Sequence, residues 1–353
     1  MKNMADCDIK ITFDKLKEIG QEGKNSKVYL VHDHQLDGDL VIKEIPKTKF
    51  KTPDEYFKEA RIMFAQKHEN VVEVHYAGMD ADNIYIAMPF YANGSMKHLI
   101  SNNHFLTIHQ VLRYATQFLT GLNHIHSRGL LHLDIKPDNI MLSNSDVALL
   151  SDFGLAKYTD VYGLADQTFA YSMHRAPEQI LKNLRQSRLT DIYQVGVTLY
   201  RMVNGNEYFY GQTKGITTPA DFQAMVIKGK FPFRNAYQEH VPQKLRRIIN
   251  KCMTPSPIKR YDNALELLND LSSVTENLDY QLHFIAPATK EWTKLHNGHE
   301  LKIQCGYGGT EYTVSVTKEA GGSFQNQKRY YLVDSDYSKI CKHLSQIFED
   351  YDG

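Results

Sequence analysis

The most informative part of the sequence is His132-Leu133-Asp134-Ile135-Lys136-Pro137-Asp138-Asn139, which is followed thirteen positions after its last residue by Asp152-Phe153-Gly154. Asp134 supplies a carboxylate that can accept a hydroxyl proton, and Lys136 supplies a point charge that can hold a phosphate. Asn139 and the aspartate of the second segment are oxygen ligands that can share metal ions. Together these groups are the parts that phosphoryl transfer requires.

The two segments resemble the H-x-D-x-K-x-x-N catalytic loop and the D-F-G motif of eukaryotic-type protein kinases. The resemblance covers about residues 10–275 and implies an α+β, bilobal fold. Its parts are a β-rich N-lobe at 10–88, a hinge at 89–94 and a helical C-lobe at 95–275.

The resemblance implies that the γ-phosphoryl of ATP is transferred to protein hydroxyls, including those of the chain itself, with Mg²⁺ as cofactor. Asp134 is then the catalytic base, and Lys136 steadies the transferred group. Asn139 and Asp152 hold the metal. Tyrosine kinases have alanine or arginine at the place that Lys136 occupies in this chain. The lysine therefore implies serine or threonine acceptors.

Two further positions fit the family's ATP site. Lys43, in the strand-like segment LVIK, stands where the family has the lysine that binds the nucleotide's phosphates. Glu59 lies in a helix-like segment nine residues before His68, and the resemblance implies an ion pair between Glu59 and Lys43.

The glycine-rich loop matches the family less closely. The segment IGQEGKNSKV begins at Ile19 and resembles G-x-G-x-x-G-x-V, but it has one extra residue between Gly20 and Gly23. Ser26 stands where the third glycine is expected. The backbone N–H groups can still cradle phosphate, because serine lacks only the wider backbone range of glycine.

Met88-Pro89-Phe90-Tyr91 resembles the hinge, with Met88 as gatekeeper. Pro89 has no N–H, but the family uses only the carbonyl at that position, and the N–H of Tyr91 is available to adenine. Three apolar residues are expected to enclose the purine: Val28, Val41 and Met141.

Three downstream residues are expected to support the fold around the site. Glu178, in Ala176-Pro177-Glu178, resembles the A-P-E motif of the family. Arg260 stands where the partner of Glu178 is expected. Asp191, in TDIYQVG, resembles the aspartate of the family's helix F.

Leu133 is a clear departure, because many kinases have an arginine there that binds a phosphate on the activation loop. We therefore expect activity not to depend on phosphorylation between Asp152 and Glu178. The candidate autophosphorylation sites are Thr159, Thr168 and Ser172. Tyr171 stands where a threonine usually contacts the catalytic aspartate, and Thr168 or Ser172 is expected to substitute for it.

Charge and cysteine content limit the classes of function. Lys plus Arg and Asp plus Glu both number 41, so there is no general basic field for nucleic acid or for an anionic membrane. The four cysteines, at positions 7, 252, 305 and 341, form no C-x-x-C pair, and the start MKNMADCDIK lacks the apolar core of a signal peptide. These features predict a cytoplasmic protein that binds neither nucleic acid nor membrane.

Local signals predict the secondary structure around these motifs. The segment Thr52-Pro53-Asp54-Glu55 combines a cap, a first-turn proline and a glutamate, and predicts that a helix starts there. The segments VVEVHYAG and NIYIAMPF predict two strands of the N-lobe. Thr107 predicts the start of a long helix that ends near Gly129, and further helices are predicted from Thr190 to about residue 204 and within 242–273.

Residues 277–353 are expected to form a small α+β accessory domain. Period-two alternation near residues 280–284, 301–305 and 312–316 predicts strands, as does YYLV at 330–333, and the apolar spacing from Tyr337 to Tyr351 predicts a helix. Two roles are open: a docking or homodimerising domain, or an extension that stabilises the C-lobe.

Two other functions compete with the kinase hypothesis. A pseudokinase or scaffold would lack the lysine, the base or the metal aspartate, and all three are present. A small-molecule phosphotransferase shares H-x-D-x-x-x-x-N, but Asp152-Phe153-Gly154, Glu178, Asp191 and Arg260 together argue against it. The protein substrate is not readable from the sequence.

Overall fold

The computed structural model describes residues 10–19, 26–166, 173–181 and 184–352. The chain divides into two compact units, one ending at Ala92 and one beginning at Asn93. Within the described ranges no helix is both long and apolar enough to cross a membrane.

The first unit is built on an antiparallel sheet with strand order β1-β2-β3-β5-β4. The strands are β1 (Phe13–Glu18), β2 (Lys27–Asp33), β3 (Gly38–Pro46), β4 (Tyr76–Met79) and β5 (Asn83–Pro89). One face buries Val31, Ile42 and Ala87. On the other face, the end of the sheet that contains Ile45 packs against the helix α1 (Lys58–Ala65).

The predicted helix start at Thr52 is wrong. The Thr52 side chain caps nothing, and Pro53–Glu55 forms a single 3₁₀ turn. The Glu55 carboxylate accepts a hydrogen bond from the N–H of Lys51, so it does not form the predicted capping box. The regular helix therefore begins only at Lys58.

The strand predicted from VVEVHYAG is confirmed only for its last part, β4. Val71 and Val72 are buried, but Val71 forms only an isolated bridge and Val72 lies in irregular backbone. They are adjacent apolar residues, whereas successive side chains of a strand point to opposite faces of the sheet. Such a pair therefore fits a buried loop better than a strand with one solvent-exposed face.

The second unit begins with helices. Those between Asn93 and Glu276 are α2 (Met96–Leu99), α3 (Ile108–Ser127), α4 (Pro177–Ile180), α5 (Arg188–Asn204), α6 (Asn206–Gly211), α7 (Pro219–Ile227), α8 (Gln243–Cys252) and α9 (Ala264–Leu271). The predicted cap of α3 is confirmed, since Thr107 and Gln110 form a reciprocal capping box. Almost all of α5 is buried.

Two short antiparallel pairs lie beside these helices and carry the motif residues. They are β6 (Leu130–Leu131) with β9 (Lys157–Tyr158), and β7 (Ile140–Leu142) with β8 (Ala148–Leu150). The catalytic-loop segment connects β6 to β7, and Asp152-Phe153-Gly154 follows β8. The pairing therefore fixes both ends of the catalytic loop.

The C-terminal region is an antiparallel sheet packed against one helix. Its elements are β10 (Gln281–Ala286), β11 (Thr289–His296), β12 (His299–Tyr307), β13 (Tyr312–Ala320), β14 (Ser323–Asn326), β15 (Leu332–Asp334) and α10 (Tyr337–Asp350). Trp292, Ile303 and Val314 of the sheet pack with Phe348 of α10 in one core. The predicted alternation and the closing helix are both present.

The C-terminal region packs on the helical part of the same unit. Lys290 donates to both oxygens of Glu239, at 2.7 and 2.9 Å. The indole N–H of Trp292 donates to Nδ1 of His240 at 3.1 Å. Because Glu239 and His240 are 9% and 1% exposed, these polar contacts lie in a buried interface.

Candidate active site

Asp191 holds the backbone of the catalytic loop through hydrogen bonds. It is fully buried near the start of α5, and its two carboxylate oxygens accept the backbone N–H groups of His132 and Leu133 at 2.9 and 2.7 Å. Nε2 of His126 lies 2.8 Å from the same carboxylate. These bonds hold Leu133 at a φ of 67°, a left-handed conformation that a leucine rarely adopts.

The side chains that follow this bend converge on Asp134. Lys136 donates from Nζ to Oδ2 of Asp134 at 2.7 Å, and the amide of Asn139 donates to the same oxygen at 3.0 Å. Asn139 also donates to the backbone carbonyl of Asp134 at 2.8 Å. Among the residues described, none donates to the other oxygen, Oδ1, which leaves Oδ1 available to accept a hydroxyl proton.

Lys136 remains charged in this setting. Burial by itself would lower its pKa, but the adjacent Asp134 carboxylate, assisted by Asp138 and Asp152, raises the pKa above the usual lysine value. The side chain is 25% exposed, so its ammonium is reachable from solvent. A permanent cation next to an available carboxylate oxygen can stabilise a transferring phosphoryl group.

Asp152 lies at the start of a 3₁₀ turn and also has a left-handed backbone, with φ at 59°. Phe153 is buried, and its ring centroid is 5.0 Å from that of His132. The backbone N–H of Ser151 donates to the carbonyl of Asn139 at 3.0 Å, so the two expected metal-binding segments are directly joined.

The donor set here suits Mg²⁺. Since both amide hydrogens of Asn139 point toward Asp134, its Oδ1 remains as an acceptor, and Asp152 offers carboxylate oxygens. Within the described ranges no group of three or more His, Cys, Asp or Glu side chains forms a metal cluster. Mg²⁺ ordinarily binds with one or two carboxylates plus substrate phosphates, so such a cluster is not required.

In the first unit, the predicted pair of Lys43 and Glu59 is formed. Nζ of Lys43 lies 2.7 Å from Oε1 of Glu59, and the two side chains are only 13% and 14% exposed. Glu59 is in the first turn of α1, and Lys43 is central in β3. The pair therefore connects the helix to the middle of the sheet.

Several expected adenine contacts share the sheet face of Lys43. Val28 lies opposite Lys43 in the register of β2 and β3, and Val41 lies opposite Met88 of β5. Val28, Val41 and Met88 are half-buried, as expected for groups that could receive an apolar ring. In the second unit, Met141 is half-buried in β7.

The glycine-rich loop is described only at its ends. The N–H of Ile19 donates to the carbonyl of Val28 at 2.8 Å, and Ser26 is half-buried before β2. Gly20 and Gly23 lie outside the described residues. At the hinge, Pro89 ends β5, and burial raises the pKa of the Tyr91 phenol to about 12.

The predicted pair of Glu178 and Arg260 is bidentate. Nη1 and Nη2 of Arg260 donate to the two oxygens of Glu178 at 2.7 and 2.8 Å, and both side chains are almost fully buried. Thr190 of α5 also donates to Glu178, at 3.0 Å. The pair joins the end of the activation segment to the C-lobe core.

The described part of the activation segment is held by contacts that need no phosphate. Leu133 is fully buried and packs with Leu131 and Ala165. The Arg185 guanidinium donates to the carboxylate of Asp160 at 2.7 Å. Thr159 lies just after β9, and its N–H donates to the carbonyl of Gly129. Thr168, Tyr171 and Ser172 lie outside the described residues.

Two glutamines that the sequence analysis did not single out also position the loop. Gln194 accepts the N–H of Ile135 at 2.9 Å and donates to the carbonyl of Leu133 at 2.9 Å. Gln179 donates to the same carbonyl at 3.2 Å. Gln194 is three residues after Asp191, so on a helix both side chains lie on the same face. That spacing could have predicted that Gln194 also contacts the catalytic loop.

Comparison with known proteins agrees with this geometry. The model of the family described as protein kinase domain matches residues 13–271. A probable serine/threonine-protein kinase of Clostridium acetobutylicum is 30% identical over 267 residues, which are 74% of this chain and 39% of that protein.

Two other bacterial proteins show similar coverage. Serine/threonine-protein kinase PrkC of Bacillus subtilis is 27% identical over 73% of this chain and 40% of its own length. Probable serine/threonine-protein kinase PknB of Lactococcus lactis is 26% identical over 74% and 41%. The chain thus spans about two fifths of the length of these relatives.

Proposed function

Because this chain belongs to the protein kinase family, we propose that it is a serine/threonine kinase that transfers the γ-phosphoryl of ATP to hydroxyls of proteins, including its own. The observation that carries the proposal is the complete set of contacts around Asp134. The base is fixed by the loop above Asp191, one of its oxygens is occupied by Lys136 and Asn139, and the other is available.

In this proposal each group has one task. Oδ1 of Asp134 accepts the proton of the acceptor hydroxyl, and the Lys136 ammonium stabilises charge on the transferred phosphoryl. Lys43, oriented by Glu59, binds the phosphates of ATP. Asn139 and Asp152 would hold Mg²⁺, which when bound neutralises phosphate charge.

We propose that nucleotide binding uses the residues predicted for it. Ile19, Gly20, Gly23 and Ser26 would cover the phosphates, and the hinge backbone at Pro89 and Tyr91 would meet adenine. The remaining contacts would be apolar: Val28, Val41, Met88 and Met141.

We also propose that the activation segment reaches its working arrangement without phosphorylation. The apolar contact of Leu133 with Ala165 and the ion pair of Asp160 with Arg185 support this. Phosphorylation of Thr159, Thr168 or Ser172 would then be a product of activity and not its condition.

Residues 277–353 are best explained as an extension that stabilises the C-lobe. The buried contacts of Lys290 and Trp292 with Glu239 and His240 favour this role over that of a freely tethered docking domain. A homodimer formed through this region remains a prediction. A cytoplasmic location is supported by the free thiols of Cys252, Cys305 and Cys341.

Phosphoamino-acid analysis tests the proposed activity. The full chain, incubated with Mg²⁺ and γ-labelled ATP alone and with a panel of unfolded proteins, should place label on serine and threonine. Label confined to small molecules would support the phosphotransferase alternative, and nucleotide binding without any transfer would support the pseudokinase alternative.

A further inference from the structure

A second carboxylate of the catalytic loop, Asp138, is placed to interact with an acceptor polypeptide. It immediately precedes Asn139, its side chain is 20% exposed, and its charge acts on the Lys136 ammonium together with that of Asp134. A partly exposed carboxylate beside a catalytic base would attract arginine or lysine in a substrate if it were unpaired.

Asp138 is already paired through both oxygens. Nζ of Lys97 lies 3.1 Å from Oδ1, and Nη1 of Arg201 lies 3.3 Å from Oδ2. Each oxygen of the carboxylate therefore faces a cation of the chain itself.

Arg201 is fixed in this position. Its side chain, on α5, is 2% exposed, and it donates to Oδ1 of Asn206 from both Nε and Nη2, at 3.1 and 2.7 Å. It also donates to Nε2 of His174 at 2.9 Å and to the Tyr210 hydroxyl at 3.1 Å. A substrate arginine could not displace Arg201 without leaving a buried charge unpaired.

The most exposed charged side chains beside the base are therefore two lysines, whereas the side chains of Asp138 and Asp134 are 20% and 9% exposed. Lys97 and Lys136 are 26% and 25% exposed, whereas Asp134 is bound to Lys136 and Asp138 to Lys97 and Arg201. Asp152, the third carboxylate near Lys136, is assigned to Mg²⁺ in the proposed function. Within the described part of the chain, a basic side chain arriving next to the acceptor hydroxyl meets the two lysines, and both Asp134 and Asp138 already have a cation as partner.

We infer that this kinase selects acceptor serines and threonines flanked by neutral or acidic residues, and disfavours arginine and lysine at the positions that approach Asp138. The inference rests on the proposed function and specifies its substrate class. Lys97 and Arg201 act as specificity determinants by occupying a carboxylate that would otherwise recruit a basic substrate.

Position-scanned peptides test the inference. Each peptide carries one serine in a neutral background, with arginine, alanine or glutamate placed in turn from four residues before the serine to four after it. The measured quantity is the ratio of kcat/KM for the arginine peptide to that for the alanine peptide. The enzymes compared are the wild type, Lys97→Met, Asp138→Asn and the control Lys342→Met, which changes an exposed lysine of α10.

We expect the wild-type ratio to be at or below one at every position. Lys97→Met should raise the ratio about three- to fivefold at one or more positions, because one oxygen of Asp138 becomes available. Asp138→Asn should lower the ratio below that of the wild type, because Lys97 and Arg201 then lose their counter-charge. Lys342→Met should leave it unchanged.

Two results would overturn the inference while leaving the proposed function intact. One is an active wild-type enzyme that prefers arginine about tenfold at any position. The other is an active Lys97→Met enzyme whose ratios equal those of Lys342→Met. Absence of transfer to every peptide and to the chain itself would refute the proposed function, and the inference with it.

Discussion

The interface between the C-terminal region and the C-lobe should make stability depend on pH through His240. This side chain is 1% exposed, its Nδ1 accepts the indole N–H of Trp292, and its buried Nε2 has no partner among the residues described. Burial, reinforced by the charges of Lys290 and Arg246 and opposed by that of Glu239, lowers the pKa of His240 to about 4.

The sign and size of the effect follow from this pKa. The unfolded chain takes up the proton near the ordinary histidine value of 6.5, whereas the folded chain resists it until about pH 4. The stabilising contribution is therefore complete above pH 6.5 and is lost as the pH falls toward 4. The full loss corresponds to about 3 kcal/mol in the free energy of unfolding, of which about 2 kcal/mol falls between pH 7 and pH 5.

Urea unfolding followed by tryptophan fluorescence measures this loss of stability with a probe that lies in the interface itself. Trp292 is the single tryptophan of the chain and lies against His240. His240→Gln keeps an acceptor for the indole but cannot titrate, so between pH 7 and pH 5 the wild type should lose about 2 kcal/mol more than this variant. His299→Gln, at an exposed histidine of β12, should behave like the wild type. Equal losses in wild type and His240→Gln would refute the reasoning.

Three further predictions concern the fold and its regulation. Arg260→Met should lower the free energy of unfolding by about 3–5 kcal/mol because it leaves the Glu178 carboxylate buried without its partner; a melting temperature equal to that of the wild type would contradict this. Truncation after residue 276 should expose the buried interface and cause aggregation during expression or an earlier melting transition; a monomeric, equally stable fragment would show that residues 277–353 are independent. Alanine at all three candidate phosphorylation sites should leave kcat in a peptide assay within about threefold of the wild type; the sites are Thr159, Thr168 and Ser172. A triple variant that is folded but inactive would show that phosphorylation is required.

The catalytic loop was predictable because its chemistry is local in sequence. Asp134, Lys136 and Asn139 lie within six residues, so their identity and spacing carry the information. The pairs of Lys43 with Glu59 and Arg260 with Glu178 were predictable for a different reason. Each needed the family pattern to connect residues that are 16 and 82 positions apart.

The contacts that could not be predicted depend on tertiary packing. Nothing in the sequence around Asp138 indicates that Arg201, 63 residues later, pairs with it. Glu239 and His240 lie in a connection before α8, and the side-chain partners Lys290 and Trp292 come from the distant C-terminal sheet. The helix start at Thr52 failed because a local backbone hydrogen bond to Glu55 competed successfully with the capping box.

The most direct test of the central claim is the pair of substitutions Asp134→Asn and Asp37→Asn, each measured for kcat and for the Kd of Mg·ATP. Asn keeps the size of the base but cannot accept the hydroxyl proton, so Asp134→Asn should lower kcat by at least about 10²-fold while its Kd stays within about threefold of the wild type. Asp37→Asn changes a 96% exposed carboxylate in the turn between β2 and β3 and should alter neither quantity. An Asp134→Asn enzyme that keeps wild-type kcat would contradict the account.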